Sequence, residues 1–83
     1  MGKSIYTREQ QALQNLLKGL RRQSAMTQET LAERLKTPQS FVSKYESGER
    51  RLDVLELRKV CTVLGIGLSE FAKLLEKEIK NAS

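Results

Sequence analysis

The stretch that decides the fold runs from Thr27 to Gly48 and reads T-Q-E-T-L-A-E-R-L-K-T-P-Q-S-F-V-S-K-Y-E-S-G. It predicts two short helices separated by a tight turn. Thr27 is a typical N-cap for the first helix, because its hydroxyl can accept a hydrogen bond from a first-turn amide. Pro38 disfavours helical geometry in the residue before it and fits the first turn of a new helix. We therefore predict Thr37 as the N-cap and Pro38 as the first residue of the second helix, which Gly48 ends with a left-handed C-cap.

The sequence on either side predicts three more helices, which gives an all-α fold, a five-helix bundle with a central helix-turn-helix. Thr7 and Gln10 form a capping-box pattern at the start of the first helix, and Asp53 and Glu56 form another at the start of the fourth. Apolar residues then recur at three- and four-residue spacing, as on the buried face of a helix. These stripes are Ala12, Leu13, Leu16, Leu17 and Leu20, then Leu57, Val60, Cys61 and Leu64, and finally Phe71, Leu74, Leu75 and Ile79.

The length of 83 residues and the net charge of +5 limit the kinds of protein that the chain can be. So short a chain is expected to form one domain, which we place at residues 7–80 after a flexible tail at residues 1–6. A basic small domain favours an anionic partner, either nucleic acid or a membrane surface, although the same charge also serves solubility alone. No apolar run is long enough to span a bilayer and no signal peptide pattern is present, so we expect a cytoplasmic protein.

Few residues are available for catalysis or metal binding. Cys61 is the single cysteine and histidine is absent, so an internal disulfide is excluded and most metal sites and nucleophile–base pairs lack their usual groups. Cys61 lies on an apolar stripe, where a free cysteine is expected to pack as a small hydrophobe. We therefore predict no catalytic residue, no metal and no cofactor, and an enzyme is the weakest of the functional hypotheses.

The polar face of the second helix in the central stretch indicates DNA binding. Two helices joined by a turn of three or four residues, the second presenting polar side chains, match the DNA-binding helix-turn-helix. The major groove of B-DNA is about 12 Å wide, so one helix fits in it with its side chains against the base edges. The N-terminus of the first helix offers free amides and the positive end of its dipole to a phosphate. The sequence therefore predicts double-stranded DNA as the partner.

The chain resembles the Cro/repressor-type helix-turn-helix proteins of phages and bacteria, the XRE family, over roughly residues 16–75. The resemblance rests on Leu20-Arg21, Thr27-Gln28-Glu29, Leu31-Ala32, Gln39-Ser40-Phe41-Val42-Ser43-Lys44-Tyr45-Glu46, Gly48 and Leu64-Gly65. It implies a sequence-specific DNA-binding transcription regulator, usually a two-fold dimer. Two positions depart from the family pattern. Lys36 stands where the family commonly has glycine in the turn, and Pro38 stands where serine or threonine is more frequent.

The base-contacting positions of that family fall on Gln39, Ser40, Ser43 and Lys44, and the chemistry of these side chains suits the role. Gln39 can bond an adenine in two places, Lys44 can donate to a guanine, and the serines can donate or accept. Phe41 lies beside this face and could touch a thymine methyl. Partial packing against the first helix is an equally good interpretation of Phe41.

Other residues are expected to hold the protein on the DNA backbone or to hold the helices together. The resemblance implies a phosphate contact from Gln28 and a structural salt bridge between Arg21 and Glu46. Basic side chains near the two central helices could bind phosphates, although a run of charge is usually only a solvated face. Those predicted to contact phosphate are Arg22, Arg50 and Arg51, and Arg34 and Lys36 are placed on the same basic rim.

The last predicted helix carries more apolar residues than its own packing requires. We predict that Phe71, Leu75 and Ile79 form a possible homodimer interface, which would space two recognition helices about one DNA turn (~34–36 Å) apart. The leading hypothesis is a regulator, most simply a repressor, that inserts the helix around residues 38–47 into the major groove. It could act alone, as the controller protein of a restriction-modification system, or as an antitoxin. The alternative is a protein-interaction module that binds a toxin or another regulator through the last helix.

Overall fold

The computed structural model describes residues 7–82, and this part of the chain consists of five α-helices without β-strands. The helices are α1 (Arg8–Gln23), α2 (Gln28–Leu35), α3 (Gln39–Ser47), α4 (Val54–Val63) and α5 (Leu68–Ala82). The predicted all-α fold with a central helix-turn-helix is therefore confirmed, and α2 and α3 are its two helices. The predicted tail over residues 1–6 lies outside the described residues. No helix within the described part of the chain has the length and apolar character needed to cross a membrane.

Side-chain caps fix where three of the helices begin. The Thr7 hydroxyl accepts from the amide of Gln10 at 3.1 Å at the start of α1. The Thr27 hydroxyl accepts from the amide of Thr30 at 3.0 Å at the start of α2. At α4 both halves of a capping box are present, since the amide of Glu56 donates to Asp53 Oδ1 at 2.7 Å and the amide of Asp53 donates to Glu56 Oε1 at 3.0 Å. Each cap satisfies first-turn amides that have no partner within the helix.

The predicted start of α3 was wrong by one residue. Pro38 rather than Thr37 is the N-cap, because its ψ of 154° is extended and α3 begins only at Gln39. Proline has no side-chain oxygen, so no side chain caps this helix. The Thr37 hydroxyl, which we expected to cap it, is buried without a hydrogen-bond partner among the described residues.

The turn between α2 and α3 holds Lys36 in the left-handed region, with φ 61° and ψ 45°. The amide of Thr37 donates to the carbonyl of Ala32 at 3.0 Å, and the amide of Lys36 donates to the carbonyl of Glu33 at 3.1 Å. This pair of bonds is the Schellman motif, which usually places glycine at the left-handed position. Lys36 thus adopts the conformation of the glycine it replaces, at a cost of about 1–2 kcal/mol.

The core lies where all five helices meet. Its buried members are Leu17, Met26, Leu31, Ala32, Val42, Tyr45, Val60, Cys61 and Phe71. α1 packs on α5 and α3, and α2 packs on α3 and α4, so α3 is held from two sides. The expectation that Phe71 belongs to a dimer interface is wrong. Its ring is only 1% exposed and fills the core, so it has almost no surface left for a second chain.

Tyr45 offers a test of the core. The residue is 2% exposed, and its hydroxyl has no hydrogen-bond partner among the described residues. Burial raises the pKa of Tyr45, so the hydroxyl remains a protonated, unsatisfied donor. Leaving a buried donor unsatisfied costs about 1–3 kcal/mol. We predict that Tyr45→Phe keeps or raises the free energy of unfolding measured in urea, whereas Tyr45→Ala loses about 3–5 kcal/mol with the ring. A marked loss in Tyr45→Phe would show that the hydroxyl makes a stabilising bond.

Candidate nucleic-acid interface

Helix α3 divides into a buried face and an exposed face. Val42, Tyr45 and Glu46 are buried against the rest of the protein. The predicted base-contacting residues lie on the other side: Gln39, Ser40 and Lys44 are exposed and Ser43 is half-buried. The Ser43 hydroxyl donates to the carbonyl of Ser40 at 3.4 Å, a long bond that a base could replace. The structure thus brings these four side chains onto one outward surface of a helix.

Phe41 lies at the edge of this surface and is half-buried. Its ring meets that of Tyr45 edge to face, with the centroids 5.5 Å apart and the planes at 76°. The Arg50 guanidinium covers the Phe41 ring at 4.6 Å from its centroid. Packing is therefore part of the role of Phe41, and the thymine contact stays a prediction for the part of the ring that remains exposed.

Arg21 of α1 and Glu46 of α3 form the ion pair that the family resemblance implied. Arg21 Nε donates to Glu46 Oε2 at 2.7 Å, and Arg21 Nη2 donates to Glu46 Oε1 at 3.1 Å. The two side chains are 9% and 2% exposed, so the pair is buried rather than a surface contact. Arg21 Nη1 also donates to the carbonyl of Met26 at 2.8 Å. The hydrogen bond to Glu46 raises the pKa of Arg21, and the guanidinium stays charged.

Two glutamines complete the hydrogen bonding around Glu46. Gln28 Nε2, at the first residue of α2, donates to Glu46 Oε1 at 2.9 Å. Gln14 Nε2, on α1, donates to the carbonyl of Glu46 at 3.3 Å. Gln28 was predicted to contact phosphate, and the structure shows that one of its amide hydrogens is already committed to Glu46. A phosphate contact from Gln28 stays a prediction and would use the second hydrogen of the same amide.

Arg50, which follows α3, makes a second ion pair with Glu56 of α4. Arg50 Nη2 donates to Glu56 Oε2 at 2.8 Å, and Arg50 Nη1 donates to Glu56 Oε1 at 3.1 Å and to the carbonyl of Arg51 at 2.9 Å. The hydrogen bond from Arg50, with a further one from the Asp53 amide, lowers the pKa of Glu56 to about 2. The carboxylate is therefore ionised throughout the neutral pH range. Arg50 was predicted to contact phosphate, and the structure shows that three of its guanidinium N–H groups are already committed within the chain. A phosphate contact from its remaining N–H groups stays a prediction.

The other predicted basic residues lie at the surface. Arg22 in the last turn of α1 and Arg51 in the loop before α4 are both exposed, as are Arg34 and Lys36 at the end of α2. Arg34 lines a cleft of about 300 Å³ between α2 and α4, together with Arg58 and Lys59. These placements leave the phosphate contacts of Arg22 and Arg51 as predictions. No group of three or more potential metal-ligating residues occurs within residues 7–82.

Sequence reasoning missed the Arg50–Glu56 pair and two exposed apolar residues. Glu56 was assigned to the capping box alone, and nothing in the periodicity of a loop links it to Arg50, six residues earlier. Val54 and Leu55 are 62% and 68% exposed at the start of α4. A signal for Leu55 existed, because it shares a helical face with the polar residues Arg58, Lys59 and Thr62 instead of the apolar stripe.

Comparison with known proteins agrees with this geometry. A family model described as helix-turn-helix, HTH_3, matches residues 17–71, a span that includes the central stretch and the core of α4. The control protein C.MunI of a Mycoplasma species is 35% identical over 65 residues, which are 77% of this chain and 88% of that protein. The chain belongs to the XRE-type helix-turn-helix family. This XRE-type protein is thus a DNA-binding regulator by family, and its family is not one of enzymes.

Solved structures of similar proteins share the fold of the XRE-type protein. An XRE-family-like protein from Pseudomonas syringae pv. tomato str. DC3000 is 43% identical, with a TM-score of 0.81 over 92% of this chain and 93% of that one. The restriction-modification controller protein C.Esp1396I, solved as a tetramer in complex with its natural 35 base-pair operator, is 26% identical. Its TM-score is 0.81, and the match covers 89% of this chain and 97% of that one.

The buried ion pair of the XRE-type protein gives a prediction about stability. Glu46→Ala leaves the Arg21 guanidinium buried without a counter-charge, so we expect a loss of about 3–5 kcal/mol in the free energy of unfolding. Replacing both partners, as Arg21→Met with Glu46→Leu, removes both buried charges and should cost clearly less than Glu46→Ala alone. Urea unfolding followed by circular dichroism measures both variants. A double variant as unstable as Glu46→Ala would contradict this explanation.

Proposed function

We propose that this protein is a sequence-specific repressor that binds a duplex DNA operator with α3 in the major groove. The observation that carries the proposal is the division of α3, whose buried face is fixed by Val42, Tyr45 and Glu46 while its polar face stays open. A helix held this firmly can place side chains against base edges with little loss of conformational entropy. Repression needs only occupancy of the site, so it requires no further surface on the protein.

The chemistry of the exposed face supports the reading of bases. Gln39 has the donor and acceptor that match an adenine edge, and Lys44 can donate to the two acceptors of a guanine. Ser40 and Ser43 can adapt to either. Phe41 offers an apolar ring edge that suits a thymine methyl. Direct contacts of this kind are each worth about 1–3 kcal/mol of discrimination against the wrong base.

The affinity in this proposal comes from contacts that do not depend on sequence. Arg22 and Arg51 are exposed and contribute charge for phosphates, and the second amide hydrogen of Gln28 contributes a contact at the start of α2. Such contacts release condensed counterions, so affinity falls steeply as salt rises. The net charge of +5 favours the same partner.

We propose that the protein acts as a two-fold homodimer. Val54 and Leu55 are more than 60% exposed, and neighbouring large apolar side chains at a surface favour a protein contact. Leu75 and Ile79 are half-buried and line an open groove of about 530 Å³ with Leu13. The exposed pair at the start of α4 is therefore our main interface candidate, and the Leu75–Ile79 groove is the second.

The similarity to C.MunI and C.Esp1396I favours a particular class of regulator. Both relatives are named as controller proteins, and C.Esp1396I was solved on its own operator. We therefore favour the controller protein of a restriction-modification system over an antitoxin.

Selecting bound sequences from a random duplex pool tests the proposed DNA binding directly, because an enriched, two-fold-related pair of half-sites is expected. Recovery of no common sequence would overturn it.

The base-reading assignment predicts the behaviour of one double variant. Gln39→Ala with Lys44→Ala should lower the ratio of selected-site to unrelated-duplex affinity by about two orders of magnitude, since two base contacts are lost. Both residues are exposed, so circular dichroism should still show the helices of the wild type. Gel-shift titration measures the ratio. Arg22→Ala serves as the matched control, because loss of a phosphate contact weakens binding to both duplexes alike. A preference that survives the double variant would show that other residues read the bases.

The dimer proposal predicts different results for two charge substitutions. Leu55→Lys introduces a charge into the main candidate interface and should shift the protein from dimer to monomer in sedimentation experiments. Ile79→Lys changes the second candidate and should leave the dimer intact. The reverse result would move the interface to the α5 groove, and a monomeric wild type at micromolar concentration would exclude both.

A further inference from the structure

Arg50 occupies an unusual position for a residue expected to bind phosphate. Its guanidinium lies over the ring of Phe41, 4.6 Å from the ring centroid. Phe41 belongs to α3, the helix that carries the predicted base contacts. Its two terminal nitrogens make three hydrogen bonds within the chain, two to Glu56 and one to the carbonyl of Arg51. Three of the five N–H donors of its guanidinium are therefore occupied within the chain.

Glu56 is equally committed. It accepts both terminal nitrogens of Arg50 in a bidentate arrangement, and Oε1 also accepts the amide of Asp53 at 3.0 Å. The Glu56 amide in turn donates to Asp53 Oδ1 at 2.7 Å. The capping box thus holds the Glu56 carboxylate against the N-terminus of α4, and the ion pair holds Arg50 against the same carboxylate. Bidentate arginine–carboxylate pairs set orientation as well as proximity.

These contacts form one continuous connection from α4 to α3. It runs from the capped N-terminus of α4 through Glu56 to Arg50, and from Arg50 to the ring of Phe41. The ring then packs edge to face on Tyr45, which is buried in the core. The direct contacts that bury Val42 and Tyr45 fix one side of α3, whereas this connection fixes Phe41 at the margin of the base-reading surface.

We propose that Arg50 and Glu56 are positioning residues for DNA recognition, which set the placement of Phe41 and the adjoining base-reading face of α3. Arg50 on this view contributes to specificity through shape and not to affinity through a phosphate contact. This inference rests on the proposed function, because positioning has a measurable effect only if α3 reads bases. Neither Arg50 nor Glu56 is among the predicted base-contacting residues.

Substitutions at Glu56 and Arg50 distinguish the positioning role from a phosphate contact by Arg50. Glu56→Gln removes a negative charge, so the net charge rises by one and electrostatics alone would strengthen binding to any duplex. Loss of the bidentate pair should instead weaken binding to the selected site. Arg50→Lys keeps the positive charge but cannot form the planar bidentate pair, so a lysine would preserve a phosphate contact and lose the positioning.

The experiment measures the dissociation constant of the full chain for its selected duplex and for an unrelated duplex over a series of salt concentrations. We expect Glu56→Gln and Arg50→Lys each to lower the specificity ratio by roughly threefold to thirtyfold, the scale of a lost cation–π contact or of part of one base contact. The slope of affinity against salt should stay at the wild-type value. The double variant should lose little more than either single one, because both act through the same pair.

Arg51→Ala is the matched control, since Arg51 is the exposed neighbour of Arg50 and makes no side-chain contact in the pair. It should weaken binding to both duplexes alike and reduce the salt slope by about one. Circular dichroism and urea unfolding establish that each variant is folded at the assay temperature.

The possible results separate this inference from the function on which it rests. An unchanged ratio in Glu56→Gln and Arg50→Lys, while the wild type keeps its sequence preference, overturns the positioning role alone. A reduced salt slope in an Arg50→Ala variant, with the ratio unchanged, assigns Arg50 to phosphate and also overturns it. A wild type without sequence preference overturns the proposed function, and the positioning role with it.

Discussion

The buried ion pair between Arg21 and Glu46 is the interaction on which the arrangement of α1, α2 and α3 depends. Removing two charges from water is costly unless their geometry and remaining hydrogen bonds are satisfied. Here the carboxylate accepts from Arg21 and from Gln28, and Arg21 also donates to the carbonyl of Met26. These partners come from three helices and the connection between two of them. Because these groups must all meet at Arg21 and Glu46, the pair constrains the orientation of the three helices relative to one another.

This constraint explains how so short a helix can present a defined surface. Helix α3 spans Gln39–Ser47, and isolated helices of that length are marginal in water. Its first turn lacks a side-chain cap because Pro38 occupies the N-cap position. Tertiary contacts must therefore stabilise the helix, through Val42 and Tyr45 in the core and through Glu46. The exposed side chains of α3 are not part of these core contacts, which leaves them available for recognition.

The parts of the fold that follow local rules could be predicted from the sequence, and the parts that depend on long-range contacts could not. Thr7, Thr27 and the Asp53–Glu56 box mark helix starts because a cap involves only residues three apart. The start of α3 was misplaced because Thr37 can cap by sequence, and only the extended backbone of Pro38 in the folded turn decides otherwise. Periodicity identifies apolar faces without saying what covers them, so Phe71 was assigned to a second chain when it lies in the core. The contacts of Gln28 with Glu46 and of Arg50 with Phe41 cross between elements, where spacing carries no signal.

Pairing also resolves a difficulty in placing carboxylates beside the surface that we propose binds DNA. Glu46 lies on α3 and Glu56 lies next to the loop that follows α3. An unpaired carboxylate at either place would repel phosphates. Each is bound instead by an arginine, Arg21 for Glu46 and Arg50 for Glu56. The hydrogen bonds from Arg50 and the Asp53 amide hold the pKa of Glu56 at about 2, so it stays ionised and paired at neutral pH. The two carboxylates can thus hold α3 in place without presenting an unpaired negative charge at the proposed DNA-binding surface. Arginine is better suited than lysine to this role, since its planar fork binds both carboxylate oxygens at once.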